Sequence, residues 1–148
     1  MSTFNKFNAF VQEVGDGSIN LNSDTLKIML SNVTPVATNT LLADLTEITA
    51  HDGYSAGGTA VGSTAYSQSS GTGKLTGNAV VFTASGGTIG PFQYAVLYDS
   101  TPTSPLKPLI GWWDYGSAVT LNAGETFTVA SDTSGSNWTS GAPLLTVA

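Results

Sequence analysis

The sequence contains no cysteine and no arginine, a single histidine, His51, and four lysines. Without cysteine, neither a disulfide framework nor a thiolate metal site can hold the chain together, so its stability has to come from packing. Lys6, Lys27, Lys74 and Lys107 are scattered singly. A groove that neutralises phosphates needs clustered Lys or Arg, which argues against nucleic acid as a partner and, equally, against an anionic membrane surface. Charged residues make up 9% of the chain, against roughly 25% in ordinary soluble domains. The exterior must therefore be built mainly of Ser, Thr, Asn and Gly. No stretch approaches the roughly 18 apolar residues of a membrane span. The opening MSTFNKFNAFVQEVGDG has neither the basic start nor the continuous apolar run of a secretion signal. The expectation is a chain made and folded in the cytoplasm of its host, without an export step.

What is present is enough for one core. Apolar residues are 41% of 148, a length that fits a single domain over 1–148. Ten acidic residues bring the formal charge to -6 and the pI to about 4.2. Phe4, Phe7, Phe10, Val11 and Val14 recur at three- and four-residue spacing, which predicts an amphipathic helix or arm over 1–15, with Thr3 as N-cap and Gly15 as stop. GDGSINLNSD reads as a turn-rich connector.

From Thr25 the period changes to two, with Leu26, Ile28 and Leu30 on one side and Thr25, Lys27 and Ser31 on the other, the mark of a half-buried strand. Leu41 to Thr49 is read as holding a short helical turn with Asp44 and Glu47, and HDGYSAGG as an exposed loop. Beyond Thr59, short runs rich in Thr, Val, Tyr and Phe alternate with Gly, Ser and Pro clusters. They predict strands over Thr59 to Ser67, Lys74 to Thr83, Pro91 to Tyr98, Leu109 to Asp114, Glu125 to Ala130 and Leu144 to Val147. The turns between them are SSGTG, ASGGTIG, DSTPTSP, YGSAVTLNAG and SDTSGSN. Phe92, Tyr94, Val96 and Tyr98 share one face, while Ala95 and Leu97 make the other face apolar, so this strand should be central. The fold class expected is mainly β, a β-sandwich or jelly roll over 25–148 with one short N-terminal helix.

Motifs for chemistry are weak. Gly71, Gly73 and Lys74 in SGTGKL fall short of a phosphate-binding loop, because Gln68 stands where that motif needs its first glycine and Leu75 where it needs Ser or Thr. A hairpin turn is the simpler reading. GGTIG at Gly86 to Gly90 precedes a strand instead of opening a helix. His51 beside Asp52 is the one place for an imidazole base, but no serine sits in a nucleophile elbow, and neighbouring side chains on an extended segment point apart. Asp44, Glu47 and Asp52 could supply oxygens to calcium if the chain folded over them, yet their spacing matches no EF-hand, and a solvated acidic loop is preferred. Asn32 and Asn137 begin N-x-Thr sequons, which need secretion to be used. No enzyme, no cofactor and no metal are expected.

Trp112 and Trp113 are consecutive in a predicted strand and must face opposite ways, so both cannot enter the same core. Either one ring meets a partner, as interface and sugar-stacking aromatics do, or a loop or the N-terminal helix covers it. The same choice applies to Phe4, Phe7 and Phe10. With Tyr115, these make six candidates for a partner interface: Phe4, Phe7, Phe10, Trp112, Trp113 and Tyr115.

The segments STFNKFNAFV, NLNSDTLKIMLSN, PVATNTLLADLTEI, DGYSAGG, FTASGGTIGPFQYAVLYD and PLIGWWDYGSAVTLNAGETFTV resemble small virion proteins of tailed bacteriophages. The likeness runs from Ser2 to Val129 and is to the capsid cement, or decoration, proteins with jelly-roll subunits. It implies a non-enzymatic structural protein on the outer capsid surface of the virion, with the major capsid protein as partner and self-association as a dimer or trimer. Alternatives that keep the β class are a carbohydrate-binding or adhesive virion module, with Trp112, Trp113, Trp138 or Tyr115 stacking on sugars, and a tail or connector subunit.

Overall fold

The computed structural model describes residues 4–129, 137–139 and 145–146. In chain order the elements are β1 (Phe4–Lys6), α1 (Asn8–Gly15), β2 (Leu26–Ser31), a single 3-10 turn (Leu42–Asp44), β3 (Thr59–Ala60), β4 (Ala65–Ser69), β5 (Thr72–Asn78), β6 (Val80–Thr83), β7 (Ile89–Asp99), β8 (Leu109–Leu121), β9 (Thr126–Val129), β10 (Asn137–Thr139) and β11 (Leu145–Thr146). The described residues are mainly β with one short helix, as expected. Thr3, Ala130, the SDTSGSN turn up to residue 136, and Leu144 and Val147 at the ends of the last predicted strand lie outside the described residues, and so does the Trp138 ring.

Five strands form the principal sheet in the order β1-β8-β7-β2-β3, with every pairing antiparallel. A second sheet is built on β5, which takes β4 on one edge and β10 and β11 on the other, and β6 pairs with β9. The main core lies between these layers. It joins Leu26, Ile28 and Leu30 of β2 and Leu97 of β7 to Leu75, Phe82 and Val129 of the opposing strands. This is a sandwich held by side chains from two inner faces. A second apolar cluster lies on the outer face of the principal sheet, formed by Phe7, Met29, Tyr94, Val96, Tyr98 and Leu109.

That second cluster is why β7 is central and why β2 departs from expectation. The β2 strand was expected to be half-buried, but Met29 and Ser31 on its outer side are as buried as Leu26, Ile28 and Leu30. In β7, Phe92 was placed with Tyr94, Val96 and Tyr98. Register shifts against β8 on either side of Phe92 change its face, and Phe92 joins the main core while the other three form the outer cluster.

The N-terminal segment is shorter in helix than predicted. Phe4–Lys6 is a strand that completes the edge of the principal sheet, with Phe4 opposite Trp113, Asn5 opposite Trp112 and Lys6 opposite Gly111. The helix starts at Asn8 with Phe7 at its N-cap, so Thr3 cannot cap it, and it ends at Gly15 as expected. Gly111 explains the strand: a side chain there would collide with the Phe4 ring and the Asn5 carbonyl. The empty space lets an aromatic ring lie over a glycine on the neighbouring strand.

The run YGSAVTL, expected as part of a turn, instead extends β8 to Leu121. Tyr115 to Ala118 are all exposed there, so no hydrophobic alternation betrays the strand. The turn proper is Asn122 to Glu125, where the Glu125 carboxylate accepts the Asn122 N–H at 2.8 Å. SSGTG is a hairpin turn as read: Ser69 pairs with Thr72 across β4 and β5. Ser70 and Gly71 both take positive φ, 51° and 78°, which is the two-residue turn that matches strand twist.

Candidate interaction surface

Each tryptophan of the doublet is covered from within the chain. Trp113 enters the main core, is 3% exposed and meets the Phe4 ring at 4.9 Å. Trp112 points to the outer face, half-buried, with the Phe7 ring 4.5 Å away. The two rings do face opposite ways, and Phe4 and Phe7 cover one each. Of the six interface candidates, Phe7, Phe10 and Trp113 are buried in this chain, Phe4 and Trp112 are half-buried, and Tyr115 is 55% exposed. Tyr115 stands at the exposed end of β8, edge-on to Phe127 at 5.6 Å.

The outer apolar cluster is roofed by a loop instead of by another sheet. Residues 32–48 leave the end of β2, cross to β8 and return. Asn8 N–H donates to Ala37 C=O at 2.9 Å, Leu109 N–H to Thr40 C=O at 3.0 Å and Leu42 N–H to Lys107 C=O at 3.0 Å. Glu47 then bridges back to Ser31, and Ile48 N–H donates to Leu30 C=O. Leu42 and Leu45 turn inward onto the cluster. A roof of this kind leaves other side chains outside: Val33 is 48% and Val36 52% exposed, and Leu106, in the loop before β8, is 55% exposed. Residues 32–43 and 100–106 contain no charged side chain. Asp44, which follows the first stretch, accepts the N–H groups of Thr40 and Leu41 at 2.9 and 3.1 Å and the Thr40 hydroxyl at 3.1 Å. These hydrogen bonds hold its carboxyl below the usual range.

Asp44 lies on the 3-10 turn, but Glu47 does not, and the two carboxylates serve separate purposes. Glu47 Oε1 accepts the Tyr54 hydroxyl and the Gly57 N–H, both at 2.6 Å. The Tyr54 hydroxyl in turn accepts Leu30 N–H at 3.0 Å, and the Tyr98 hydroxyl donates to Gly57 C=O at 2.6 Å. HDGYSAGG is therefore not wholly an exposed loop, since Tyr54 is buried and ties it to β2. Burial, followed by the hydrogen bond to Glu47, raises the Tyr54 phenol far above its ordinary range; burial and the Glu47 charge push Tyr98 up to about 12. Tyr54→Phe should lower stability by about 2 kcal/mol, because the Leu30 N–H loses its buried acceptor. Urea unfolding of the two proteins checks it.

His51 and Asp52 do not point apart as expected. Asp52 takes a positive φ of 52°, and its carboxylate turns back to His51 Nδ1 at 2.7 Å. Both side chains are more than a third exposed on a turn. Asp52 thus belongs with His51, Glu47 with Tyr54 and Asp44 with Thr40, and no group of three or more His, Asp or Glu among the described residues is placed to hold a metal ion.

Two shallow clefts accompany these features. One of about 260 Å³ lies at the root of the roof between Val33, Ile48 and Pro91. The other, of about 240 Å³, lies between Val14, Ile19 and Tyr66. Both fall below the roughly 300–1,000 Å³ of typical small-molecule sites. Val33, Val36 and Leu106 were not among the sequence candidates. Their signal was slight: single apolar residues near Pro35 and Pro105 in mostly polar loops, Leu106 directly before Lys107.

No family model, no curated protein and no solved structure matches this chain. The class that fold and surface define is a mainly β, antiparallel sandwich with a loop-roofed outer face.

Proposed function

We propose that this protein is a capsid cement, or decoration, protein of a tailed phage, which binds the outer surface of the major capsid lattice and stabilises it without catalysis. The observation that carries the reading is the roof of the outer face and the loop before β8, where half-exposed Val33 and Val36 lie in residues 32–43 and Leu106 in residues 100–106, two stretches with no charged side chain. Interface centres are depleted in charge and enriched in apolar contact. An acidic chain without arginine avoids the packaged genome. Many copies, each with a modest contact, stabilise a lattice by mass action, because they bind the assembled shell and not its dissociated parts. The resemblance between Ser2 and Val129 supports the same role, and with it a jelly-roll strand order and assembly as a dimer or trimer. The sugar-binding alternative receives less support, since Trp113 is buried and the Trp112 ring lies against Phe7 in a tilted contact.

Capsids stripped of this protein should bind it saturably. Val36→Asp combined with Leu106→Asp is expected to weaken that binding by about a hundredfold, as charge placed in an apolar contact does, while unfolding stays within about 0.5 kcal/mol of the wild type. Co-sedimentation with capsids and urea unfolding measure the two effects. Unchanged binding by the double variant would remove the roof from the interface, and failure of the wild type to bind at any concentration would remove the function.

A further inference from the structure

Asp99 closes β7 with its side chain wholly buried. Its Oδ1 accepts the Thr101 N–H at 3.0 Å, while Oδ2 finds no donor among the described residues. Its neighbour is a second acid, Asp24, in the turn before β2, where the Asn20 N–H donates to Asp24 Oδ2 at 2.9 Å. The joint around them is closely tied. Leu26 pairs with Asp99. Ser100 donates to the Thr25 carbonyl from its N–H at 2.9 Å and from its hydroxyl at 2.7 Å, and Thr25 N–H donates to the Thr101 hydroxyl at 2.8 Å. The nearby hydroxyls are thus engaged with the backbone and not with Oδ2.

A buried carboxylate oxygen without a donor is costly, but a carboxylic acid carries its own donor. The absence of a partner for Oδ2 and the closeness of Asp24 are two sides of one arrangement: two ionised carboxylates cannot bond each other, whereas one acid and one carboxylate can. The other charged or titratable groups on the packed elements are turned elsewhere. On β2, the Lys27 ammonium lies beside Gly57, 3.9 Å from where a Cβ on that glycine would be. On β7, the Tyr98 hydroxyl donates to Gly57. From the β8 side, Pro108 offers its carbonyl to Asp99 N–H, and Lys107 is exposed.

We infer that Asp99 and Asp24 share one proton, Asp99 donating to Asp24, and that the pair is a pH-released latch on the joint between the start of β2 and the end of β7. When the proton leaves to solvent, two carboxylates face each other with one of them buried, and the joint from which residues 100–108 spring is weakened. Burial first, then the hydrogen bond and charge of Asp24, push the Asp99 carboxyl up to about 7, against about 4 in an unfolded chain. The folded state therefore holds this proton more tightly than the unfolded state. Its contribution to stability is complete below about pH 4 and is lost as the pH rises through about 7. The inference is independent of what the protein binds.

Carboxyl-carbon NMR of the wild type and urea unfolding of wild type, Asp99→Asn and Asp24→Asn across pH test it. The Asp99 carboxyl should titrate near 7 and move lower in Asp24→Asn. The folded-to-unfolded ratio of the wild type, taken relative to Asp99→Asn, should fall about a hundredfold between about pH 5 and pH 9. An Asp99 midpoint near 4, or parallel stability curves for wild type and Asp99→Asn, would overturn the inference. So would a calcium-dependent rise in wild-type stability at pH 8 that Asp99→Asn lacks, which would assign the site to a cation. Should Asp99→Asn fail to fold, the wild-type midpoint and its movement in Asp24→Asn decide the matter.

Discussion

Gly58→Ala is expected to destabilise the protein by about 3 kcal/mol or more, the combined cost of a left-handed backbone and a backbone collision. Gly58 has a φ of 74°, and a Cβ on it would overlap the carbonyl of Ile28. Neither partner can yield cheaply. Ile28 sits in β2 between β7 and β3 with its side chain in the main core. Gly58 is tied through Gly57 to Glu47 and Tyr98 and through its own N–H to Ser55. An alanine therefore pushes the loop off β2 and takes the Glu47 and Tyr54 hydrogen bonds with it. Gly15→Ala, at a helix end where a Cβ meets nothing within 4 Å, is the control and should leave the urea midpoint almost unchanged. Equal midpoints for wild type and Gly58→Ala would contradict the packing described.

Trp113→Ala is the second large effect, with an expected loss of about 3–5 kcal/mol for a large aromatic removed from a closed core. The ring fills space among β1, β8 and the main core, and its loss leaves Phe4 without the aromatic partner that anchors the N-terminal strand. The consequence is local as well as global. Amide exchange at Phe4 to Phe7 should accelerate more than at β5, which Phe4 does not pair with. This outcome also separates two roles of the tryptophan. A sugar platform would lose ligand and keep stability when truncated; a core ring loses stability. Substitution of Tyr115, which is exposed, is the proper probe of surface binding at that end of β8.

The parts of the fold that could be read from the sequence are those in which a strand's own residues record both of its faces. Tyr94 to Tyr98 is apolar on either side, and β7 is the middle strand. Leu26, Ile28 and Leu30 alternate, and β2 pairs along its whole length with β7. Opposite orientation of Trp112 and Trp113 follows from the pleat alone. What was missed depends on distant chain. Met29 is buried because residues 32–48 cross over it, and nothing within LKIMLS records a roof supplied from elsewhere. Phe4, Phe7 and Phe10 satisfy helical spacing, yet Phe4 belongs to a strand because a glycine more than a hundred residues later leaves room for its ring. The end of β8 is all exposed, so the alternation that marks strands is absent from Tyr115 to Ala118. Phe92 changes face through irregular register with β8, a feature of pairing and not of composition. The candidate surface was the least legible part. Aromatic residues drew attention and mostly proved to be packed within the chain, while the exposed apolar side chains on the roof and the loop before β8 were two valines and a leucine in turn-like segments.

The most direct test of the proposed function is a cryo-electron microscopy reconstruction of the particle that carries this protein. Density of this β-sandwich is expected on the outer capsid lattice, in many copies, with the loops bearing Val33, Val36 and Leu106 turned toward the major capsid protein. Density confined to the tail, its fibres or the portal ring would contradict the proposed function.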